Sequence, residues 1–264
     1  QLYAGFGHKQ FGELTYGNMT TITDEVTQSD LANTYSLTDG LLETSARRVT
    51  QYVYNGDYGS NKVKFGAYYG GSSKRNIKNV DLKNNRKNTW GTGLIFDHEI
   101  DSIQNVTVAA GFTREISENA NKTAYYSNAY ALGLAYNFVH TTYGLDFAHK
   151  DTKNKDGAGN KVKNNEVTAV IRQGLNEDWN VYAMYSYKTE KTLPVGSAYS
   201  KSTDRQFLVG TEYYVYNQGS LKVKPFLEWQ ATRTKYENTF DKDSGKQLDR
   251  SRDFKTVIGL RAYW

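Results

Sequence analysis

One pattern limits this chain more than any other: segments of about ten residues in which large apolar side chains alternate with small or polar ones. From Tyr126 to Tyr136 the even positions include Tyr126, Tyr130, Leu132, Leu134 and Tyr136, whereas the odd ones include Ser127, Ala129, Ala131, Gly133 and Ala135. Trp179, Val181, Ala183, Tyr185 and Tyr187 alternate with Asn180, Tyr182, Met184 and Ser186. Leu221, Val223, Pro225, Leu227, Trp229 and Ala231 alternate with Lys222, Lys224, Phe226, Glu228 and Gln230, so the second face there carries full charges. Near the C-terminus, Ile258, Leu260, Ala262 and Trp264 oppose Val257, Gly259, Arg261 and Tyr263. Successive side chains of a strand point to opposite faces. Each segment is therefore a strand with one greasy face and one lean or charged face. No stretch approaches the ~18 consecutive apolar residues of a membrane helix, but a membrane strand needs only about 10, every second one free to be polar.

The connections alternate as well. Tight turns at His8-Lys9-Gln10, Asn55 to Asn61, Glu99 to Ile103, Gly174 to Asp178 and Asn217 to Ser220 are interleaved with polar loops. The loops run from Gly17 to Ala46, Gly71 to Asn88, Glu115 to Thr123, Lys150 to Asn165, Glu190 to Thr203 and Lys235 to Asp253. Short turns at one rim and long loops at the other describe an outer-membrane barrel. A soluble sandwich would also alternate, but here aromatics gather at strand ends as in membrane girdles, and no second set of large apolar side chains exists to fill a core. The expected fold is all-β, an antiparallel transmembrane β-barrel in a single domain over residues 1–264.

Composition narrows the function. With 22 Tyr, 23 Gly, 2 Pro and no Cys, the chain has a strand-former's vocabulary and neither disulfides nor thiolate metal sites. Its net charge of +5 is spread among intermixed acids and bases rather than clustered as a nucleic-acid footprint. His8, His98, His140 and His149 lie too far apart in sequence for a metal-ligand motif, so no metal is expected. Ser127, Asn137 and His140 lie near one another in sequence, yet nothing marks an activated nucleophile, and no catalytic residue is expected. Gly70-Gly71-Ser72-Ser73-Lys74 lacks the spacing of a phosphate loop, and no cofactor is implied.

The run Gln1 to Gly7, a short turn, and Phe11-Gly12-Glu13-Leu14-Thr15-Tyr16-Gly17-Asn18 resembles the entry to the constriction loop of Gram-negative general diffusion porins. Ser45-Ala46-Arg47-Arg48-Val49-Thr50-Gln51-Tyr52 is similar to that loop's exit. Arg261-Ala262-Tyr263-Trp264 resembles the family's C-terminal strand, with Trp in place of the usual Phe. The resemblance covers the whole chain in pattern and is specific at these flanks.

It implies a trimeric barrel of 16 strands in the outer membrane of a Gram-negative bacterium, with an inward-folded constriction loop whose acids face arginines on the wall. Here the loop follows the second strand and about thirteen strands are counted, so the sequence reads as partial, with three N-terminal strands missing; an odd strand count also suits closure poorly. By the resemblance, Asp24, Glu25, Asp30, Arg47 and Arg48 belong to the pore constriction. If the greasy faces meet lipid, Lys62, Lys64, Arg172, Lys222, Lys224 and Arg261 line the lumen, together with Lys255 and opposite Asp97, Asp146, Glu166, Glu212 and Glu228. Bases slightly outnumber acids in that set, a lean toward anions. The expected function is passive diffusion of small hydrophilic solutes and ions without enzyme activity, among outer-membrane lipid and lipopolysaccharide. A substrate-selective channel, or an adhesin or receptor acting through its surface loops, is the competing reading.

Overall fold

The computed structural model describes residues 1–73, 85–119, 122–155, 160–193, 199–239 and 246–264. One antiparallel sheet contains β1 (Leu2–His8), β2 (Gly12–Thr20), β3 (Ser45–Tyr58), β4 (Asn61–Gly70), β5 (Asn85–Asp101), β6 (Gln104–Asn119) and β7 (Lys122–Phe138). It continues through β8 (Thr141–Asn154), β9 (Lys161–Gly174), β10 (Trp179–Leu193), β11 (Tyr199–Tyr213), β12 (Tyr216–Gln218), β13 (Leu221–Thr239) and β14 (Lys246–Tyr263). Each strand pairs with the next in sequence, except that β11 and β12 both pair with β13. Those two are one strand broken at Tyr214 and Val215, so the 14 strands reduce to the thirteen expected. Among the described residues β1 and β14 each pair on one side only, and the sheet is not closed.

The tight turns fall where expected, between β1 and β2, β3 and β4, β5 and β6, β9 and β10, and β12 and β13. The opposite connections need correction, because most of the expected loops are strand. β6 runs to Asn119 and β7 starts at Lys122, inside the expected loop from Glu115 to Thr123. β9 starts at Lys161, β11 at Tyr199 and β14 at Lys246, each within another expected loop. Ladder hydrogen bonds form between backbones whatever the side chains are, so polar strand ends continue the sheet while losing the greasy face that marks a strand in sequence. Of the expected loop from Gly71 to Asn88, residues 74–84 lie outside the described residues.

The greasy faces are exposed on one side of the sheet. Tyr130, Leu132, Trp179, Tyr185, Phe207, Leu227, Trp229 and Ile258 are all solvent-accessible there. A soluble fold would bury such side chains, whereas in a bilayer they meet acyl chains. The interleaved residues Ala129, Thr168, Met184, Ser186, Leu208 and Glu228 are almost wholly buried, although they belong to the lean or charged face. What covers them is the connection between β2 and β3.

Candidate functional site

Residues 21–44 leave the end of β2, form a 3-10 turn at Ile22–Val26, and lie down across the inner face of the sheet. Missing side chains on the wall make this possible. A Cβ built on Gly66 would stand 2.8 Å from Ile22, one on Gly111 2.8 Å from Val26, one on Gly133 2.1 Å from the Val26 carbonyl, and one on Gly144 2.6 Å from the Gln28 carbonyl. These glycines, on β4, β6, β7 and β8, form a trough for the first half of the loop. Ile22, Val26 and Leu42 fill it, packed against Met19, Val49, Tyr68, Ile95, Ala109 and Ala129. Farther along, Leu37 inserts among Val170, Tyr182, Met184 and Leu208 of β9, β10 and β11.

Polar groups fix the rest, in an arrangement the resemblance did not imply. Acids on the wall accept hydrogen bonds from the loop's backbone. Asp146 of β8 takes the amides of Gln28 (2.9 Å) and Ser29 (2.7 Å) and the Ser29 hydroxyl. Glu166 of β9 takes the Asp39 amide at 3.0 Å. Glu228 of β13, with no exposed surface, accepts the successive amides of Asn33 (2.5 Å), Thr34 (3.0 Å) and Tyr35 (3.1 Å) and the Tyr182 hydroxyl (2.7 Å). Three consecutive N–H groups converging on one carboxylate form an anion-binding nest. Beside it Glu212 of β11 accepts Asn33 Nδ2 (2.8 Å) and Lys224 Nζ (2.6 Å) and pairs with Arg172. The loop therefore runs from β3 to β13 along the inner wall and returns through Glu43, whose carbonyl accepts the Tyr68 hydroxyl at 3.1 Å.

Among the described residues three of the loop's own acids pair with lysines. Glu25 pairs with Lys64 at 2.5 Å, Asp39 with Lys188, and Glu43 with Lys150 at 3.6 Å. Asp24 and Asp30 are exposed. Partial burial pushes the Asp24 carboxyl above its ordinary value against a hydrogen bond from Thr44, and the charges of Glu25 and Asp30 push the same way. Arg47 and Arg48 occupy a bulge in β3, between Ala46 and Val49, which both pack on the loop core. Arg48 has a left-handed backbone (φ 54°), its amide donates to Asn18 Oδ1 at 3.2 Å, and its guanidinium reaches the Ser72 carbonyl at 3.5 Å. Among the described residues neither arginine forms an ion pair with a loop acid.

Of the expected lumen residues, Lys64, Arg172 and Lys224 are engaged by carboxylates, and Lys62, Lys222 and Arg261 are exposed on the inner face. A cleft of about 260 Å³ beside the 3-10 turn is lined by Tyr3, Glu13, Asp24, Glu25, Gln51 and Lys64. The anchoring role of Asp146, Glu166, Glu212 and Glu228 escaped the sequence reading, which counted them only as lumen charges. Sequence held no signal for it, because an inward-facing carboxylate is unremarkable in a water-filled barrel and becomes costly only when the loop buries it, which its hydrogen bonds to the loop amides then offset.

The sequence matches the Gram-negative porin family over residues 1–223. It is 22% identical over 243 residues to a major outer membrane protein of Pasteurella multocida strain Pm70, covering 86% of this chain and 63% of that protein. The chain thus spans less than two thirds of that relative's length. Among solved structures it resembles a trimer form of the outer membrane protein OmpT of Vibrio cholerae (TM-score 0.63, 15% identity, 96% of this chain and 77% of that one). An anion-selective porin from Comamonas acidovorans is similar to the same degree (TM-score 0.62, 15% identity, 96% and 75%).

Proposed function

Because the chain belongs to the Gram-negative porin family and lies in the outer membrane, we propose that it forms the greater part of a water-filled channel for passive diffusion of small hydrophilic solutes and ions. The observation that carries this reading is the loop strapped across the inner face, with Asp146, Glu166, Glu212 and Glu228 on four separate strands accepting its hydrogen bonds. A wide barrel holds water unless something folds into it. A loop lying on the wall narrows such a lumen without plugging it.

The constriction in this reading comprises Asp24, Glu25 and Asp30 on the loop, with Lys64 as wall counterpart and Arg47 and Arg48 at the loop's exit. Lys62, Arg172, Lys222, Lys224 and Arg261 line the remaining lumen. Wall acids that serve as acceptors for loop amides are withdrawn from the lumen, while Lys62, Lys222 and Arg261 stay accessible on the inner face beside acids such as Glu13, Glu99 and Asp253, which supports no more than a weak lean toward anions. The similar porin from Comamonas acidovorans is described as anion-selective, which agrees in sign. The trimer form of the similar Vibrio cholerae protein supports a homotrimer here, surrounded by outer-membrane lipid and lipopolysaccharide.

Liposome swelling tests the reading. Vesicles carrying the folded protein are expected to swell in small neutral sugars at rates that fall steeply with sugar size. Vesicles that stay osmotically tight around folded protein would overturn the diffusion channel and leave the loop-receptor reading standing. Saturable inhibition by one sugar would mark a substrate-selective channel instead.

A further inference from the structure

Above the aromatic level on the outward face of β11, β13 and β14, the side chains change abruptly to arginine. The row Phe207, Ala231 and Phe254 is paired strand to strand, with Trp229 stacked 6.1 Å from Phe254. Two residues farther toward the rim opposite the tight turns, Arg205 pairs with Arg233 and Arg233 with Arg252, three arginines side by side in one row. In the next row Lys235 pairs with Arg250. Arg205, Arg233, Arg250 and Arg252 are exposed, and the Arg205 guanidinium lies 5.9 Å from the Tyr187 ring on the same outward face.

Like charges directly opposite one another across strands destabilise a sheet. No opposite charge on this face relieves them among the described residues. Among the described residues no carboxylate forms an ion pair with Arg205, Arg233, Arg250 or Arg252; Glu237 is taken by Lys235 at 2.5 Å and Asp253 by Lys255 at 3.1 Å. Asp204 and Asp253 alternate onto the inner face, and Asp249 accepts the Arg250 amide at 2.7 Å. A row of unpaired guanidinium groups about 7 Å above an aromatic belt stands where acyl chains give way to headgroups.

We propose that Arg205, Arg233 and Arg252, with Arg250 above them, form a binding site for the phosphate groups of a phosphorylated glycolipid of the outer leaflet. The planar guanidinium fork matches a phosphate in bidentate fashion, and a bisphosphorylated headgroup spans neighbouring arginines of such a row. The site depends on the outward face being lipid-facing, not on the pore being open.

Three probes separate the sources of phosphate: bisphosphorylated lipid A, the same lipid with its phosphates removed, and inorganic phosphate. Each is titrated onto the protein folded in detergent, with binding read by native mass spectrometry. The triple variant Arg205→Gln, Arg233→Gln, Arg252→Gln is expected to bind bisphosphorylated lipid A about 100-fold more weakly, from roughly a 5-fold loss for each basic group at a membrane surface. The dephosphorylated lipid is expected to bind both proteins alike, and Lys255→Gln on the inner face is expected to change nothing. Arg233→Gln alone, at the row's centre, is expected to lose about 5-fold and serves if the triple variant does not fold. Undiminished lipid A binding by either folded variant would overturn the proposal, as would full competition by millimolar inorganic phosphate. Conductance of the triple variant equal to the parent's keeps a failure of this site distinct from a failure of the pore.

Discussion

Replacing Glu228 with alanine is expected to lift the tip of the inner loop off the wall. The carboxylate accepts four hydrogen bonds, three of them from the consecutive amides of Asn33, Thr34 and Tyr35, and it is completely buried. Hydrogen bonds to a charged acceptor are worth about 1.5–3 kcal/mol each. Four of them do not add, because a tip that loses its anchor rises into water and hydrates its amides rather than leaving them bare. The cost is therefore nearer that of breaking one buried charged contact, about 3–5 kcal/mol. At about 1.4 kcal/mol per decade, the lower figure gives amide exchange at residues 33–35 faster by about 100-fold. Hydrogen–deuterium exchange with mass spectrometry reads this directly, with ladder amides of β6 and β7 as the unchanged internal standard. Glu228→Gln keeps one acceptor oxygen but turns an NH2 toward the nest, and its effect is expected to be intermediate. Unaltered protection of residues 33–35 in a folded Glu228→Ala variant would refute the view that this carboxylate holds the tip.

Three further outcomes follow from the same geometry. Gly133→Val puts a side chain where a Cβ alone would meet the Val26 carbonyl at 2.1 Å, so thermal denaturation is expected to show a loss of at least about 1–3 kcal/mol, whereas Gly71→Ala, with nothing within 4 Å, is expected to be far milder. Asp24 is held above its ordinary carboxylate value of 3.8, so it gains its charge only as pH rises through the raised value; reversal potentials are expected to move toward cations across that window, and Asp24→Asn is expected to remove that step. The linkage has the same sign for stability: a raised carboxyl pKa favours the fold at pH below the ordinary value and loses that advantage as pH climbs past the raised one, so the difference in Tm between parent and Asp24→Asn is expected to turn against the parent with rising pH. Lys64→Gln leaves Glu25 uncompensated in the cleft, and is expected to shift the reversal potential toward cations while changing stability by less than about 1 kcal/mol, because the pair is partly exposed.

The sequence revealed structure wherever lipid imposed a pattern. Tyr130, Leu132, Trp179 and Trp229 could be assigned to the greasy face because a bilayer requires apolar side chains at every second position. Polar strand ends such as Lys246 to Arg252 carry no such requirement, so they read as loop although their backbones are laddered. The loop's inward path was legible only through family resemblance at its flanks. Its physical marks, glycines at 66, 111, 133 and 144 on four strands, are scattered over 79 positions and align only once the register is known. The same holds for Asp146 and Glu228, which lie 82 residues apart yet hold one segment of 24 residues. Among the described residues Glu25, Asp39 and Glu43 pair with Lys64, Lys188 and Lys150, and these pairs were not legible because pairing depends on which strand the loop crosses, and sequence spacing does not encode that path.

Single-channel recording of the folded protein in a planar bilayer, with the reversal potential taken across a salt gradient, tests the central claim most directly. A water-filled lumen narrowed by a strapped loop predicts large ohmic steps and a weak preference for anions, with larger or noisier steps once Glu228→Ala frees the tip. A silent bilayer from demonstrably folded and inserted protein would contradict the channel. Steps identical in the parent and in a Glu228→Ala variant with a released tip would contradict the loop as its constriction.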